Sequence, residues 1–192
     1  MINWFSAAKL GHHFIAEKLQ AGDTAVDGTM GNGHDTLILA QLVGPTGKVW
    51  AFDIQAQALA NTRERLATAG VLDERIELIQ DGHEYIKKYV SHPIQAAIYN
   101  LGYLPGGDHA IITLTETTLT AIRDTLDLLA AGGRMVVVVY PGHPGGDREK
   151  EAVEAYLARL DAREYKVLKC NFLNRPATAP GVILIEKGGG RN

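Results

Sequence analysis

Asn100 and Tyr103 lie in a stretch, YNLGYLPGGD, whose residue types suit the handling of an amine. An Asn at a strand end offers a side-chain acceptor, and the peptide that follows, at Leu101, offers a backbone acceptor. An aromatic ring three residues on can stack on a planar group. An amine nucleophile needs its lone pair aimed, and acceptors that hold its hydrogens aim it. The same residues also fit a turn rich in Asn, Gly and Pro beside a packed Tyr. Further upstream, DGTMGNGHDT (27–36) is a turn with Gly28, Gly31 and Gly33, where the backbone can bend sharply and approach a ligand while the next helix presents its free N–H groups. Asp53 follows Gly33 by twenty residues, the placement of a carboxylate that accepts from ribose hydroxyls, although an acid there also suits a helix cap. In QDGHE, Asp81 can accept from an adenine amino group with His83 beside it, or serve as an N-cap.

These residues need elements to position them, and the chain supplies a βαβ beat. Residues 3–20 have a loosely helical apolar spacing, broken or adjusted near Gly11. Strands are expected at 24–27, 48–53, 75–79, 95–101, 134–140, 166–172 and 181–186. Helices are expected at 35–43, 55–69 (closed by Gly70), 82–90, 113–129 (ended by Gly132 and Gly133) and 146–160. RMVVVVY (134–140) is an unbroken β-branched run that suits an interior parallel strand covered on both faces. No crossover helix separates the last two strands, so they should be antiparallel neighbours. The expectation is an α/β, Rossmann-like, seven-stranded, mostly parallel sheet with a reversed last strand and helices on both faces. In such a sheet ligands bind beyond the carboxyl ends of the strands, where Asp27, Asp53, Asp81, Asn100 and Tyr140 all fall.

The 192 residues suit one domain, with a helical segment at 1–21 and a loose tail at 188–192. Apolar residues make up 46% and charged ones 21%, the balance of a soluble globular protein, and no apolar run approaches a membrane span. The opening MINWFSAAKLGHHF lacks a basic leader, a long apolar core and a cleavage site, which points to the cytoplasm. The lone Cys170, in an expected strand, reads as a buried thiol rather than a nucleophile. A net charge of −3 does not advertise nucleic acid. Residues 148–192, however, carry nine basic side chains against six acidic, and Arg148, Lys150, Lys169 and Arg175 could form a local basic face.

DGTMGNGHDT, FDIQ, QDGHE and NLGYLPGGD, in this order, resemble the class I S-adenosylmethionine-dependent methyltransferases long labelled putative rRNA methylases, some of whose members are tRNA methyltransferases. The resemblance spans nearly the whole chain, and NLGYLPGGD is its most specific element. It implies S-adenosylmethionine as cofactor and, as substrate, the anticodon region of tRNA, where the 5-aminomethyl group of the wobble uridine is N-methylated to give 5-methylaminomethyl-2-thiouridine. Carried over by motif, Asp27, Gly28, Thr29, Asn32 and His34 would lie around the methionine end of the cofactor. Asp53 and Gln55 would meet the ribose, and Asp81, Gly82 and His83 the adenine. Asn100 and Leu101 would bridge cofactor and amine. Tyr103, with Gly106 and Asp108, would shape the base pocket. Tyr140 and His143 would face that pocket, His143 as a candidate proton acceptor, and Arg175 would meet phosphate. No metal is implied, and a homodimer is left open.

Two departures stand out. Thr29 occupies a place where many class I methyltransferases have a third glycine, and NLGY replaces the NPPY of many amine methyltransferases, so the mechanistic analogy rests on Asn100 and Tyr103. Rival readings fare worse. A nicotinamide site wants G-x-G-x-x-G, but 31–36 reads GNGHDT. Metal-assisted O-methylation wants converging carboxylates, and Asp108 and Asp147 are not spaced as a ligand set. rRNA or a small-molecule amine is the alternative substrate, and a cofactor-binding protein without catalysis is the third class.

Overall fold

The valine run lies in an interior strand of the sheet in the computed structural model, which describes residues 6–108, 110–142 and 144–189. The chain order is α1 (Ala7–Ala16), β1 (Thr24–Asp27), α2 (His34–Val43), β2 (Lys48–Phe52), α3 (Ala56–Thr68), β3 (Ile76–Ile79), α4 (Ile86–Tyr89), β4 (Ile94–Leu101), α5 (Thr115–Leu128), β5 (Leu129–Val139), α6 (Gly146–Leu157), β6 (Tyr165–Cys170) and β7 (Gly181–Lys187). The seven strands pair in the order β3-β2-β1-β4-β5-β7-β6. All neighbours from β3 to β5 are parallel. β7 runs antiparallel to both β5 and β6, so the reversed last strand is as the sequence predicts.

Alternation along the strands assigns the two faces. Val26, Phe52, Ala97, Tyr99, Met135 and Val137 pack with Ile86 of α4, Ile122 of α5 and Val153 of α6. Ala25, Val49, Ala96, Ile98, Val136 and Val138 pack with Ile15 of α1, Leu39 of α2 and Leu66 of α3. Helices thus cover both faces, and each fully buried β5 valine contributes about 1.5–3 kcal/mol against exposure.

Two expectations are corrected. Gly11 does not break α1, which runs through it; a Cβ there would stand 2.5 Å from Val136 Cγ1, so glycine is what lets the helix lie close on β5. Gly132 and Gly133 do not end α5 but belong to β5, which starts at Leu129, opposite Ile94. The register shifts between Ile94 and Ala96, and Gly132, at φ 72°, makes the irregularity possible. Arg134, just after it, ties three elements together. Its Nη1 donates to Phe14 O (2.6 Å) and lies 3.2 Å from Glu17 Oε2 beside α1, while Nε donates to Glu186 Oε2 of β7 at 2.7 Å.

Candidate functional site

Beyond the carboxyl ends of β1, β2, β3 and β4 lies a cleft of about 980 Å³, walled by the 28–35 turn, the 81–84 turn, the 100–105 loop, residues 111–114 and α1. Its floor is built by hydrogen bonds from the first turn. Gly28 N donates to Ile98 O (2.9 Å) and Met30 N to Phe52 O (2.9 Å), so the turn spans three strand ends. Asn100 N donates to Thr29 Oγ1 at 2.7 Å, a bond that a glycine at position 29 would forfeit. Gly28 itself is required by the core below, because a Cβ there would lie 2.0 Å from the Tyr99 ring.

At one end of the cleft sit two carboxyl groups. Asp53 accepts Gly31 N (3.1 Å) on Oδ2 and Gln55 N (3.0 Å) on Oδ1, and burial raises its pKa. A carboxylate has about four acceptor positions, so capacity remains for a further donor. Asp81 accepts from the Tyr89 hydroxyl at 2.7 Å and from Lys88 Nζ at 3.2 Å, and the Tyr89 bond leads the causes that lower its pKa. Against the Gly28 turn His83 is nearly buried, with Nδ1 3.0 Å from Gly28 O. Since a carbonyl only accepts, Nδ1 carries the hydrogen, and burial lowers the pKa, favouring the neutral ring.

At the other end is Asn100. Its Nδ2 donates to Asp35 Oδ2, and its Oδ1 faces the Tyr140 hydroxyl at 3.4 Å. Asp35 Oδ1 lies 2.5 Å from His12 Nε2. Burial, then Asp35, raises the Tyr140 pKa. Tyr103 and Tyr140 keep 40% and 37% of their surface exposed, enough to meet a planar ligand at the mouth. The Tyr103 loop is fastened by Thr113 N to Gly102 O (2.8 Å) and by an antiparallel bridge from Tyr103 to Ile112. Thr113 Oγ1 in turn donates to Glu149 Oε2, and Thr118 Oγ1 to Glu149 Oε1, both at 2.7 Å, anchoring the loop on α6.

A family model described as "Putative rRNA methylase" matches residues 49–186. The chain belongs to the putative rRNA methylase family. It is a methyltransferase. The methylase is 37% identical, over 94% of its length and 69% of the relative's, to a tRNA (mnm(5)s(2)U34)-methyltransferase, chloroplastic, of Arabidopsis thaliana. It superposes on a putative rRNA-methylase from Clostridium thermocellum with a TM-score of 0.93 and 42% identity, covering 96% of this chain and 99% of that one. A putative methyltransferase from Streptococcus mutans in complex with SAH gives 0.87 and 43%, covering 97% and 99%. The class I methyltransferase fold expected from the sequence is shown by these likenesses and by the sheet order.

The methylase brings most of the expected residues to one cleft: Gly28, Thr29, Asn32, His34, Asp53, Asp81, Gly82, His83, Asn100, Leu101, Tyr103 and Tyr140 all line it. Others are placed elsewhere. Asp27 is fully buried beneath the turn, accepting from Thr29 N (3.1 Å) and Thr36 Oγ1 (2.6 Å), and its pKa is raised to about 8 by burial first and Asp35 second. Gln55, Gly106, Asp108 and Arg175 are not among the lining residues. Asp108 instead accepts from Ala110 N at 2.8 Å, closing a turn, and Arg175 stacks on Phe172 at 4.9 Å. His143 lies outside the described residues. Asn32 and His34 sit on the rim, where Arg65 Nε donates to Asn32 O (2.6 Å) and its Nη2 lies 3.1 Å from His34 Nε2. Of the expected basic face, Lys169 is paired with Glu154 at 2.7 Å. Sequence reasoning missed His12 and Asp35. Asp35 was in plain view inside GNGHDT, but its partner twenty-three residues earlier has no local signal.

Proposed function

We propose that the methylase, acting as one domain, transfers a methyl group from S-adenosylmethionine to the exocyclic amine of 5-aminomethyl-(2-thio)uridine at the tRNA wobble position, giving 5-methylaminomethyl-2-thiouridine. The observation that carries the reading is the Asn100 end of the cleft, an amide acceptor facing the Tyr140 hydroxyl in a cleft that half-exposed Tyr103 also lines. The name of the Arabidopsis relative supports the base and the position.

S-adenosylmethionine is the methyl donor, and the residues present fit it. The cleft has polar acceptors, Asp53 and Asp81, at the end where ribose hydroxyls and an adenine amino group need them. When bound, the cofactor supplies an activated methyl group that must be met in line by a lone pair. This chain's residues do the rest. Asn100 Oδ1 and the Leu101 carbonyl accept the amine's hydrogens and so aim its lone pair, while Tyr103 and Tyr140 hold the base and exclude water. An amine that arrives neutral needs no strong base, and the proton left on the product departs to solvent.

The test is transfer of labelled methyl to tRNA that lacks the final wobble methylation, with mass analysis of the nucleosides. Methyl on 5-aminomethyluridine supports the reading, and Asn100→Ala should lower turnover by about a hundredfold while sparing most cofactor affinity. Label on rRNA or on a small-molecule amine instead, with none on tRNA, would overturn the substrate assignment.

A further inference from the structure

Three elements distant in sequence meet at one carboxyl group. Asp35, in the first turn of α2, is 9% exposed and faces nitrogen on both sides, His12 Nε2 of α1 at 2.5 Å and Asn100 Nδ2 at the end of β4. The chemistry of that contact fixes the amide. A carboxylate accepts and an amide NH₂ only donates, so Asn100 must turn its nitrogen to Asp35 and leave Oδ1 toward Tyr140 and the cleft. Without Asp35 the amide has two orientations of similar standing, one of which would present N–H groups that donate to the incoming amine's lone pair and occupy it. His12 holds the carboxyl plane through its second oxygen.

We propose that Asp35 and His12 are positioning residues for methyl transfer, locking the Asn100 amide with its oxygen toward the substrate amine. The proposal rests on the amine reading above and adds to it the device that makes one asparagine a directional acceptor. It also gives α1 a role in the site, since the helix delivers His12 and lines the cleft with Lys9 and Ala8.

The experiment combines kinetics with a substrate-free measurement. Asp35→Asn offers NH₂ or oxygen to Asn100 without preference; its kcat should fall about thirtyfold, with the dissociation constant for S-adenosylhomocysteine changing less than about threefold. His12→Ala should lose about tenfold in kcat, and His12→Gln, which restores a donor at similar reach, should recover most of that loss. In the Asn100→Ala background, adding Asp35→Asn should cost less than about twofold more, because there is no amide left to orient. The Asn100 side-chain NH₂ resonance, identified by its absence in Asn100→Ala, should be shifted downfield and slow to exchange in the wild type and should lose both properties in Asp35→Asn. An Asp35→Asn enzyme with wild-type kcat, effects that multiply in the double variant, or an unshifted resonance each overturns the positioning role. Wild-type enzyme that methylates no tRNA amine overturns the substrate reading instead, and the resonance then decides alone whether the amide is locked.

Discussion

Gly28→Ala separates two reasons for a glycine in a cofactor-binding turn. The added Cβ would lie 2.0 Å from Tyr99 Cε1, 2.4 Å from Cδ1 and 2.6 Å from Cζ. Non-bonded carbons settle about 3.5–4.0 Å apart, so ring or turn must retreat by about 1.5 Å. The ring has nowhere to go: Tyr99 is fully buried, its hydroxyl is 2.6 Å from Thr125 Oγ1 and its ring packs edge-on against His83. The turn is held by Gly28 N to Ile98 O at 2.9 Å and by His83 Nδ1 at 3.0 Å from Gly28 O. Overpacking costs about 1–3 kcal/mol and one broken buried hydrogen bond about 1–3 more, so a loss of roughly 3 kcal/mol is expected. For a chain of this length that lowers Tm by about 6–12 °C. Calorimetry of the variant beside titration with S-adenosylhomocysteine reads both effects. In a Tyr99→Leu background the ring is gone, and Gly28→Ala should cost at least about 1 kcal/mol less than in the wild type. A variant that melts within about 1 °C of wild type yet loses cofactor affinity about tenfold would refute the argument and give Gly28 to the ligand.

Other outcomes follow from the same geometry. Gly11→Ala should destabilise by about 1–3 kcal/mol through its 2.5 Å clash with Val136, and Val136→Ala should relieve it, as chemical denaturation of the four proteins would register. Glu149→Gln leaves one of two threonine hydroxyls poorly matched, so Tm should drop by about 3–8 °C, whereas an unchanged melt would remove the anchor from the Tyr103 loop. Asp27 has a folded pKa raised from 3.8 to about 8, so the fold favours its neutral form: that contribution is complete below 3.8 and is lost as pH rises through about 8. Urea unfolding should therefore show wild type losing stability from pH 6 to pH 9, relative to Asp27→Asn, on the order of a kcal/mol or more, and parallel curves would contradict it. Reversing Arg148 and Arg175 should weaken tRNA binding and flatten its salt dependence by about one unit of log–log slope per lost phosphate contact; an unchanged slope would clear that face of any role.

The sheet was readable in the sequence because parallel strands announce themselves as apolar runs that end in polar residues, and RMVVVVY, KVWAFD and QAAIYNL all do so. Reversal of the last strand was readable from a missing crossover. The strand-end rule gathered Asp53, Asp81, Asn100 and Tyr140, and all four line one cleft. It failed for Asp27, since a residue at a strand end can point down as easily as up, and only the Thr36 and Thr29 partners reveal which. Glycine was misread twice for one physical reason. At Gly11 and Gly132 the residue serves close approach and a strand irregularity, and a sequence shows only that glycine permits a break. His12 was invisible because its meaning lies in a contact between α1 and α2, which no periodicity encodes.

The clamp at Arg134 bears on how the chain can be made. β5 has β4 along one edge and β7 along the other, and β7 comprises residues 181–187. During synthesis from the N-terminus the strand holding four consecutive valines therefore emerges more than forty residues before its second neighbour, with one edge open all that time. Only when Glu186 arrives does Arg134, already held at Phe14 O on α1, gain its last partner. The first helix and the last strand are thereby fastened through one guanidinium, and the second edge of β5 can be covered only after residues 181–187 have been made.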